Sequence, residues 1–202
     1  MELYLIRHGE VEGAAEKRYS GHRDVDLTDR GRKELQGLAA FLSEEKFDAL
    51  YCSDLKRTIE SARIIFQSHN LEPVKIPDLR ERNFGYWEGM TFDEITKTFS
   101  DTFQAWAKNP LRFSPTGGES TIEFLGRVMP AFEKIRNSHD SQKVAVVAHG
   151  GVNRLLLCQA LDIPLENLFR IEQDFGCLNI IAYLKDINLV RLMNYTFYKN
   201  LG

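Results

Sequence analysis

The sequence has few cysteines, no long apolar run and no excess of basic residues. Its three cysteines, Cys52, Cys158 and Cys177, lie far apart and include no CxxC pair, which excludes a disulfide framework. No stretch approaches the roughly 20 apolar residues that span a membrane. The apolar run at residues 3–6 is interrupted by charge too early for a signal peptide. We therefore expect a cytoplasmic protein that has no membrane partner.

Charge and composition exclude further classes. The chain has 26 Lys and Arg against 29 Asp and Glu, a formal net charge of −3, whereas a dedicated nucleic-acid-binding protein carries a basic excess. Nucleic acid is therefore not an expected partner. The balanced net charge does not exclude a local cluster of arginines. A hydrophobic fraction of 43% argues against disorder and coiled coil. The 202 residues fit one domain with a small elaboration, and a homodimer is left open.

Apolar runs that alternate with helical patterns predict an α/β fold with a mostly parallel sheet. The predicted strands are residues 3–6, 49–52, 144–148, 178–183 and 189–192, with a short one at 73–77. Thr28 and Ser53 are predicted to cap the first two helices, and Thr91 with Glu94 forms a capping box for a third. Segment 78–118 is predicted to form a helical cap inserted over one end of the sheet. The whole chain, residues 1–202, is predicted to be a single domain.

Unusual residues follow the carboxyl ends of three predicted strands. Ligands bind outside these strand ends in open α/β sheets. They are Arg7-His8-Gly9, residues 53–57 with Arg57 in the first turn of a helix, and His149-Gly150-Gly151. Parallel strands can bring both histidines and both arginines to one rim. Such a rim, with helix N-termini beside it, is an anion site, and phosphate is the anion that we expect. Taken singly, each residue also has a structural interpretation; Arg57, for instance, can pair with Asp54 or Glu60 on its own helix.

A set of motifs occurs in order along most of the chain. They are Leu5-Ile6-Arg7-His8-Gly9-Glu10, Tyr19-Ser20-Gly21, Leu27-Thr28-Asp29-Arg30-Gly31, Ser53-Asp54-Leu55-Lys56-Arg57-Thr58, Glu81-Arg82-Asn83-Phe84-Gly85-Tyr86-Trp87-Glu88-Gly89, Gly117-Gly118-Glu119-Ser120 and Ala148-His149-Gly150-Gly151-Val152. This set resembles the histidine phosphatase (phosphoglycerate mutase-like) superfamily. The resemblance implies a three-layer α/β/α sandwich with a mostly parallel sheet and a small helical cap insertion.

The resemblance also implies a catalytic set. His8 is the expected nucleophile, and a phosphohistidine divides one displacement into two easier ones. Arg7, Arg57 and His149 are expected to bind the phosphoryl oxygens. Glu81 is expected to donate a proton to the leaving group and then to accept one from water. The substrate is then a small phosphate monoester, and the resemblance implies neither a metal nor a cofactor.

The remaining expected substrate-binding residues are Ser20, Gly21 and Gly150. Two features depart from a simple transfer of the pattern. Ala14 stands where relatives often carry an Asn that contacts phosphate, and Glu88 is a rival to Glu81 as the acid. We prefer Glu81, because its place before Asn-Phe-Gly resembles the donor of the family.

Three other hypotheses stay open at this point. His8, His149 and Glu81 are a His₂Glu set of the kind that binds zinc, although HExxH spacing is absent and two arginines favour an anion. A phosphate-binding module without catalysis has the same anion site. A 2,3-bisphosphoglycerate-dependent phosphoglycerate mutase uses the same chemistry, but mutase relatives generally carry extra segments for which this chain has little room.

Residues 173–180, Gln-Asp-Phe-Gly-Cys-Leu-Asn-Ile, are similar to the α-ribazole phosphatase group. The resemblance implies removal of the 5′-phosphate of α-ribazole phosphate in cobalamin biosynthesis. The same branch contains broad-specificity sugar and small-molecule phosphatases and fructose-2,6-bisphosphatase-like enzymes, so these stay alternatives. Aromatic residues of the cap predict either a stacking surface for a base or ordinary core; they are Phe84, Tyr86, Trp87, Phe92, Phe99, Phe103 and Trp106.

Overall fold

A computed structural model of the chain describes residues 1–197. Its six-stranded sheet has the order β3-β2-β4-β1-β5-β6. The strands are β1 (Glu2–Arg7), β2 (Ala49–Cys52), β3 (Val74–Lys75), β4 (Lys143–Ala148), β5 (Leu178–Tyr183) and β6 (Asn188–Tyr195). The pairings among β1 to β4 are parallel, whereas β5 is antiparallel to both β1 and β6. The predicted α/β class with a mostly parallel sheet is confirmed.

Six α-helices accompany the sheet in the described residues 1–197. They are α1 (Asp29–Leu42), α2 (Lys56–Ile65), α3 (Phe92–Thr98), α4 (Ser100–Lys108), α5 (Thr121–Ser138) and α6 (Gly150–Ala160). The Thr28 side chain accepts a hydrogen bond from Gly31 N at the start of α1, and the capping box of Thr91 and Glu94 opens α3, both as predicted. The helix that this capping box opens is followed, after a break at Phe99, by α4, which ends at Lys108.

One predicted helix cap is wrong. We expected Ser53 to cap the second helix, but α2 begins at Lys56 with Leu55 at its N-cap and without a side-chain cap. The Ser53 hydroxyl instead lies 2.8 Å from Nε2 of His149. A hydroxyl has one proton and few acceptor sites, so a residue committed to a distant ring is not available to cap its own helix.

The core lies on both faces of the sheet. Along β4, Val144, Val146 and Ala148 pack into a cluster with α5 and α6, whereas Ala145 and Val147 pack into a cluster with α1 and α2. This alternation follows from the two-residue period of a strand. Each fully buried aliphatic side chain contributes about 1.5–3 kcal/mol relative to its exposed state. Helices therefore cover both faces, which gives the expected three layers.

The segment between β3 and α5 corresponds to the predicted cap. It holds two short 3₁₀-helices, Pro77–Leu79 and Gly85–Trp87, followed by α3 and α4. Its residues Glu81, Phe84 and Phe92 line the cavity at the carboxyl end of β1. In the part of the chain that the structure describes, no helix is both long and apolar enough to cross a membrane.

Candidate active site

The carboxyl ends of the parallel strands open into a cavity of about 430 Å³. Six of the residues expected from the sequence line it: Arg7, His8, Ser20, Gly21, Arg57 and Glu81. The other two lie directly beside this set. The ring centre of His149 is 5.2 Å from that of His8, and a Cβ atom on Gly150 would lie 3.3 Å from Nε of Arg7. The fold therefore gathers all eight residues at one place.

His8 is held in the protonation state of a nucleophile. Its Nδ1 lies 2.8 Å from the carbonyl oxygen of Gly9, and because a carbonyl only accepts, Nδ1 donates and carries the proton. Burial, followed by the charges of Arg57 and Arg7, holds the pKa of His8 well below its usual range. The ring is therefore neutral at pH 7, and its Nε2 presents a lone pair.

Arg57 is almost completely buried, with 1% of its surface exposed. Its Nη1 and Nη2 donate to the carbonyl oxygens of Arg23 and Gly21, both at 2.7 Å. Burial lowers the pKa of Arg57 to about 10, so the guanidinium stays charged at neutral pH. The structural alternative, a pairing with Asp54 or Glu60, is not observed, because backbone carbonyls of a distant loop hold the side chain.

Arg7 is fixed by the segment that precedes β5. Its Nη1 donates to the carbonyl oxygen of Gln173 at 2.5 Å, and its Cζ lies 3.8 Å from the centre of the Phe175 ring. Burial lowers the pKa of Arg7, but a guanidinium remains protonated in proteins. In the described residues 1–197, no carboxylate forms a salt bridge with Arg7 or Arg57. Both guanidinium groups thus face the cavity without a direct salt bridge, and the charge of Glu81, in the same lining, offsets part of the lowering of their pKa values.

Unpartnered donors are concentrated at this cavity. Among the described residues, five buried side-chain nitrogen or oxygen atoms lack a hydrogen-bond partner, and three of them are Nε of Arg7, Nε of Arg57 and Nδ1 of His149. A buried polar atom without a partner costs about 1–3 kcal/mol, so folded proteins retain few of them. Three such nitrogens around one histidine fit a ligand that supplies several acceptor oxygens, such as a phosphoryl group.

Glu81 and Glu88 occupy different surroundings. The carboxylate of Glu81 lines the cavity and accepts hydrogen bonds from the backbone N–H groups of Gly151 and Arg82, both at 2.9 Å. The carboxylate of Glu88 lies outside that cavity and accepts from three backbone N–H groups, those of His22, Arg23 and Phe84. Glu88 therefore ties two loops together, and the geometry favours Glu81 as the acid.

Two residues near the site were not among the predicted site residues, although Phe175 belongs to the 173–180 motif. Phe175 stacks on Arg7 and also lies 5.6 Å, centre to centre, from the His8 ring. Arg127, on α5, donates to the carbonyl oxygen of Glu81 at 3.0 Å and pairs with Glu119. The contacts that define both roles join residues far apart in the chain, so no local spacing pointed to them.

The lower part of the cavity is lined by the loop after β1. Ala14 and Lys17 both face it, and Lys17 adopts a left-handed backbone conformation with φ 56°. An alanine offers no side-chain hydrogen bond where relatives often have an amide, and the charged donors that this loop contributes to the lining are Lys17 and Arg18.

The three side chains of the zinc alternative have other hydrogen-bond partners in the described residues. No three His, Cys, Asp or Glu side chains between residues 1 and 197 come together as a metal-binding group. Nδ1 of His8 contacts the Gly9 carbonyl oxygen, and Nε2 of His149 contacts the Ser53 hydroxyl. The carboxylate of Glu81 accepts hydrogen bonds from backbone N–H groups.

A second cavity of about 210 Å³ adjoins the first. Tyr19, Phe84 and Phe92 line both. The rest of its lining is mostly aromatic: Arg82, Trp87, Ile95, Phe103, Trp106 and Phe169. Of the other aromatics predicted to cluster in the cap, Tyr86 is 66% exposed and lies outside this lining. Aromatic side chains of the cap therefore line a cavity, in addition to packing against one another in the core of the cap.

Comparison with known proteins gives consistent matches over nearly the whole chain. The family model described as Histidine phosphatase superfamily (branch 1) matches residues 3–196. Adenosylcobalamin/alpha-ribazole phosphatase of Escherichia coli is 31% identical over 194 residues, covering 96% of each chain. Phosphoserine phosphatase 1 of Hydrogenobacter thermophilus is 33% identical over 196 residues, 97% of this chain and 93% of that protein. The crystal structure of a putative alpha-ribazole-5′-P phosphatase from E. coli superimposes with a TM-score of 0.91 at 31% identity, covering 96% of each chain.

Proposed function

The chain belongs to branch 1 of the histidine phosphatase superfamily and is a phosphatase, and we propose that its substrate is α-ribazole 5′-phosphate. The observation that carries this proposal is the aromatic cavity beside the phosphate-binding nitrogens, lined in part by the same side chains. A phosphoryl group bound near His8 leaves an attached nucleoside within reach of that cavity. Relatives named alpha-ribazole phosphatase, similar over 96% of this chain, support the assignment.

We propose that binding begins with the phosphoryl group. Arg7, Arg57 and His149 direct their unpartnered nitrogens at its oxygens. Charge-assisted hydrogen bonds from preorganised donors strengthen as charge develops in the transition state. The helix α6 begins at Gly150 beside this group, so its N-terminal dipole also favours a dianion.

In the first half-reaction, Nε2 of His8 attacks phosphorus. The new N–P bond forms as the bond between phosphorus and the 5′-oxygen of the ribose breaks, and Glu81, entering as the carboxylic acid, gives its proton to that oxygen. The products are the free nucleoside, a phosphohistidine and the Glu81 carboxylate. The proton stays on Nδ1, which donates it in a hydrogen bond to the Gly9 carbonyl oxygen, and this contact offsets part of the charge that the ring acquires.

In the second half-reaction, water attacks the phosphohistidine. Glu81 accepts a proton from the water, the N–P bond breaks, and inorganic phosphate leaves. His8 returns to its neutral form and Glu81 to its acid form, so the cycle balances without a metal or redox cofactor. We propose that the reaction takes place in the cytoplasm, where three unpaired, buried cysteines are stable as thiols.

The leaving group distinguishes this substrate from others. A dimethylbenzimidazole ring is flat and apolar, and aromatic pairs contribute about 0.5–1.5 kcal/mol beyond the area that they bury. Phe92 lines both cavities and is 49% exposed, so its ring can meet a ligand without a large change in the core.

Phosphoserine is the second candidate, because Phosphoserine phosphatase 1 of H. thermophilus is similar over almost the whole chain. Its leaving group is small and zwitterionic. Lys17, which lines the phosphate cavity, is a suitable partner for its carboxylate. The aromatic wall offers little to such a group, which is why we place this candidate second.

The test is a steady-state assay without added metal, comparing kcat/KM for α-ribazole 5′-phosphate, phosphoserine, sugar phosphates and 3-phosphoglycerate with and without 2,3-bisphosphoglycerate. We expect α-ribazole 5′-phosphate to have the highest value. A higher value for phosphoserine would assign the second candidate, and isomerisation of 3-phosphoglycerate would assign a mutase.

Phe92→Ala sharpens the test. Loss of one stacking ring is expected to lower kcat/KM for α-ribazole 5′-phosphate by about tenfold, which corresponds to about 1.4 kcal/mol. Hydrolysis of phosphoserine should change little. Tyr86→Ala is the matched control, since it removes an aromatic ring of the same cap outside the cavity. Equal effects of Phe92→Ala on both substrates would contradict stacking in this cavity.

A further inference from the structure

A chain of buried hydroxyl groups lies behind His149. Nε2 of His149 is 2.8 Å from Oγ of Ser53, and Oγ of Ser53 is 2.8 Å from Oγ1 of Thr58. Oγ1 of Thr58 in turn lies 2.8 Å from the carbonyl oxygen of Leu55. The side chains of His149, Ser53 and Thr58 have no exposed surface. The proposed reaction makes no use of either hydroxyl, although both are connected to the ring that faces the phosphoryl group.

The end of this chain fixes the direction of one proton. A carbonyl oxygen only accepts, so the Thr58 hydroxyl donates to Leu55 O, or to Ser53 O at 3.0 Å. Oγ1 of Thr58 is therefore an acceptor toward Ser53. Ser53 has a single proton and two neighbours that can take it, Nε2 of His149 and Oγ1 of Thr58.

The two positions of that proton match two states of the imidazole ring. If Ser53 donates to Nε2, the ring is neutral and its own proton lies on Nδ1. If the ring is protonated, Nε2–H donates to Ser53, and the Ser53 hydroxyl turns to Thr58. Nδ1 carries a proton in both states, and Nδ1 is the atom of His149 that has no protein partner.

A third arrangement is disfavoured by the ligand. A neutral ring with its proton on Nε2 would direct the Nδ1 lone pair at a phosphoryl oxygen, which also carries negative charge. Repulsion between the two acceptors selects the states in which Nδ1 donates.

Both ring states are accessible because the local charge changes when phosphate binds. Burial, followed by Arg57, His8, Arg7 and His22, holds the pKa of His149 well below its usual range. A phosphoryl dianion offsets the two arginine charges and favours the imidazolium form. The nearest acidic group on the neighbouring cap is Glu81, which accepts the Gly151 N–H at the start of α6.

We propose that Ser53 and Thr58 are positioning residues that keep Nδ1 of His149 a hydrogen-bond donor to the phosphoryl group in both protonation states of the ring. This inference rests on the proposed role of His149 as a phosphoryl ligand. It assigns different functions to the two hydroxyls. Ser53 serves both ring states, whereas Thr58 is required as an acceptor only when the ring is protonated.

The test combines kinetics with ¹⁵N NMR of ring-labelled histidine, in the presence and absence of inorganic phosphate. The substrate is p-nitrophenyl phosphate, so the result does not depend on the identity of the natural substrate. Ser53→Ala is expected to lower kcat by about 10–100-fold, the usual effect of losing a residue that orients a ligand through a hydrogen bond. It is also expected to shift the neutral His149 ring from the Nδ1–H form to a mixture of tautomers.

Thr58→Val keeps the shape of the side chain and removes the acceptor. Its loss of kcat is expected to grow as the pH falls and the protonated ring contributes more, and Thr58→Ser is expected to restore the wild-type pH profile. Ser61→Ala is the matched control. It removes an equally buried hydroxyl that donates to Arg57 O, accepts from Gly9 N and does not contact His149, so the tautomer signal of His149 should not move.

A Ser53→Ala variant with the wild-type tautomer and pH profile would overturn the inference, and so would a Thr58→Ser variant as impaired as Thr58→Val. Full activity of His149→Ala would instead refute the proposed role of His149 itself. Should Ser53→Ala fail to fold, the contrast between Thr58→Val and Thr58→Ser still decides the question.

Discussion

Phe175 gives the sharpest prediction about how the site is held. Its ring lies under the Arg7 guanidinium at 3.8 Å and beside the His8 ring at 5.6 Å, so one side chain contacts both a proposed phosphate ligand and the proposed nucleophile. Phe175→Leu keeps most of the apolar volume and removes the aromatic face. We expect the variant to fold and to lose phosphatase activity.

The size of the loss follows from the contact. A cation over an aromatic face contributes about 0.5–1 kcal/mol at an exposed site and about 2 kcal/mol when desolvated. Nε of Arg7 is buried, which places this contact toward the upper value, about 1–2 kcal/mol. Since about 1.4 kcal/mol is a factor of ten in rate, kcat/KM should fall by about 5–30-fold.

The assay is kcat/KM for p-nitrophenyl phosphate, with urea unfolding of the same samples as a measure of folding. Phe175→Tyr is the matched control, because it keeps the ring and should retain most of the activity. The reasoning would be refuted by a folded Phe175→Leu variant within about twofold of the wild type, or by equal losses in the Leu and Tyr variants.

Two further predictions concern the histidines. His8→Ala should abolish turnover and the covalent phosphoenzyme, measured by acid quench with ³²P-labelled substrate; a fully active variant would disprove the mechanism. Because burial and the nearby arginines hold the pKa values of His8 and His149 below normal, the unfolded chain binds more protons than the folded one below about pH 6.5. The free energy of unfolding should therefore fall as the pH drops from 7 to 5, by up to about 1.4 kcal/mol per histidine per pH unit. Urea titrations at both pH values measure this, and the difference should shrink in His149→Asn; an unchanged difference would contradict the assignment.

Local patterns in the sequence predicted the features that depend on neighbouring residues, namely strands and helix starts. The apolar run 144–148 predicts a central strand, and the spacing of Thr91 and Glu94 predicts a helix start, because both signals lie within a few residues. The clustering of Arg7, His8, Arg57 and Glu81 followed from family resemblance and from the rule for strand ends.

Long-range partners could not be predicted in this way. Ser53 was assigned to a helix cap because a cap is the nearest use for a hydroxyl at that position, but its partner is His149. For Arg57 the sequence offered only nearby carboxylates as structural partners, but the loop carbonyls of Gly21 and Arg23 hold it. In each case the actual partner lies in a different segment, and only the fold brings the two together.

The position of β1 in the sheet has a consequence for the synthesis of the protein. This strand is synthesised before the other five strands of the described sheet, yet it is paired on one side with β4 and on the other with β5. At about 5–20 residues per second, the strands that flank it follow on the order of ten seconds later. During that time β1 has no strand to pair with. Contacts between residues so far apart in the chain slow folding, and an unpaired apolar strand is prone to aggregation. His8 stands at the end of that strand, so the nucleophile is assembled only when the last third of the chain has arrived.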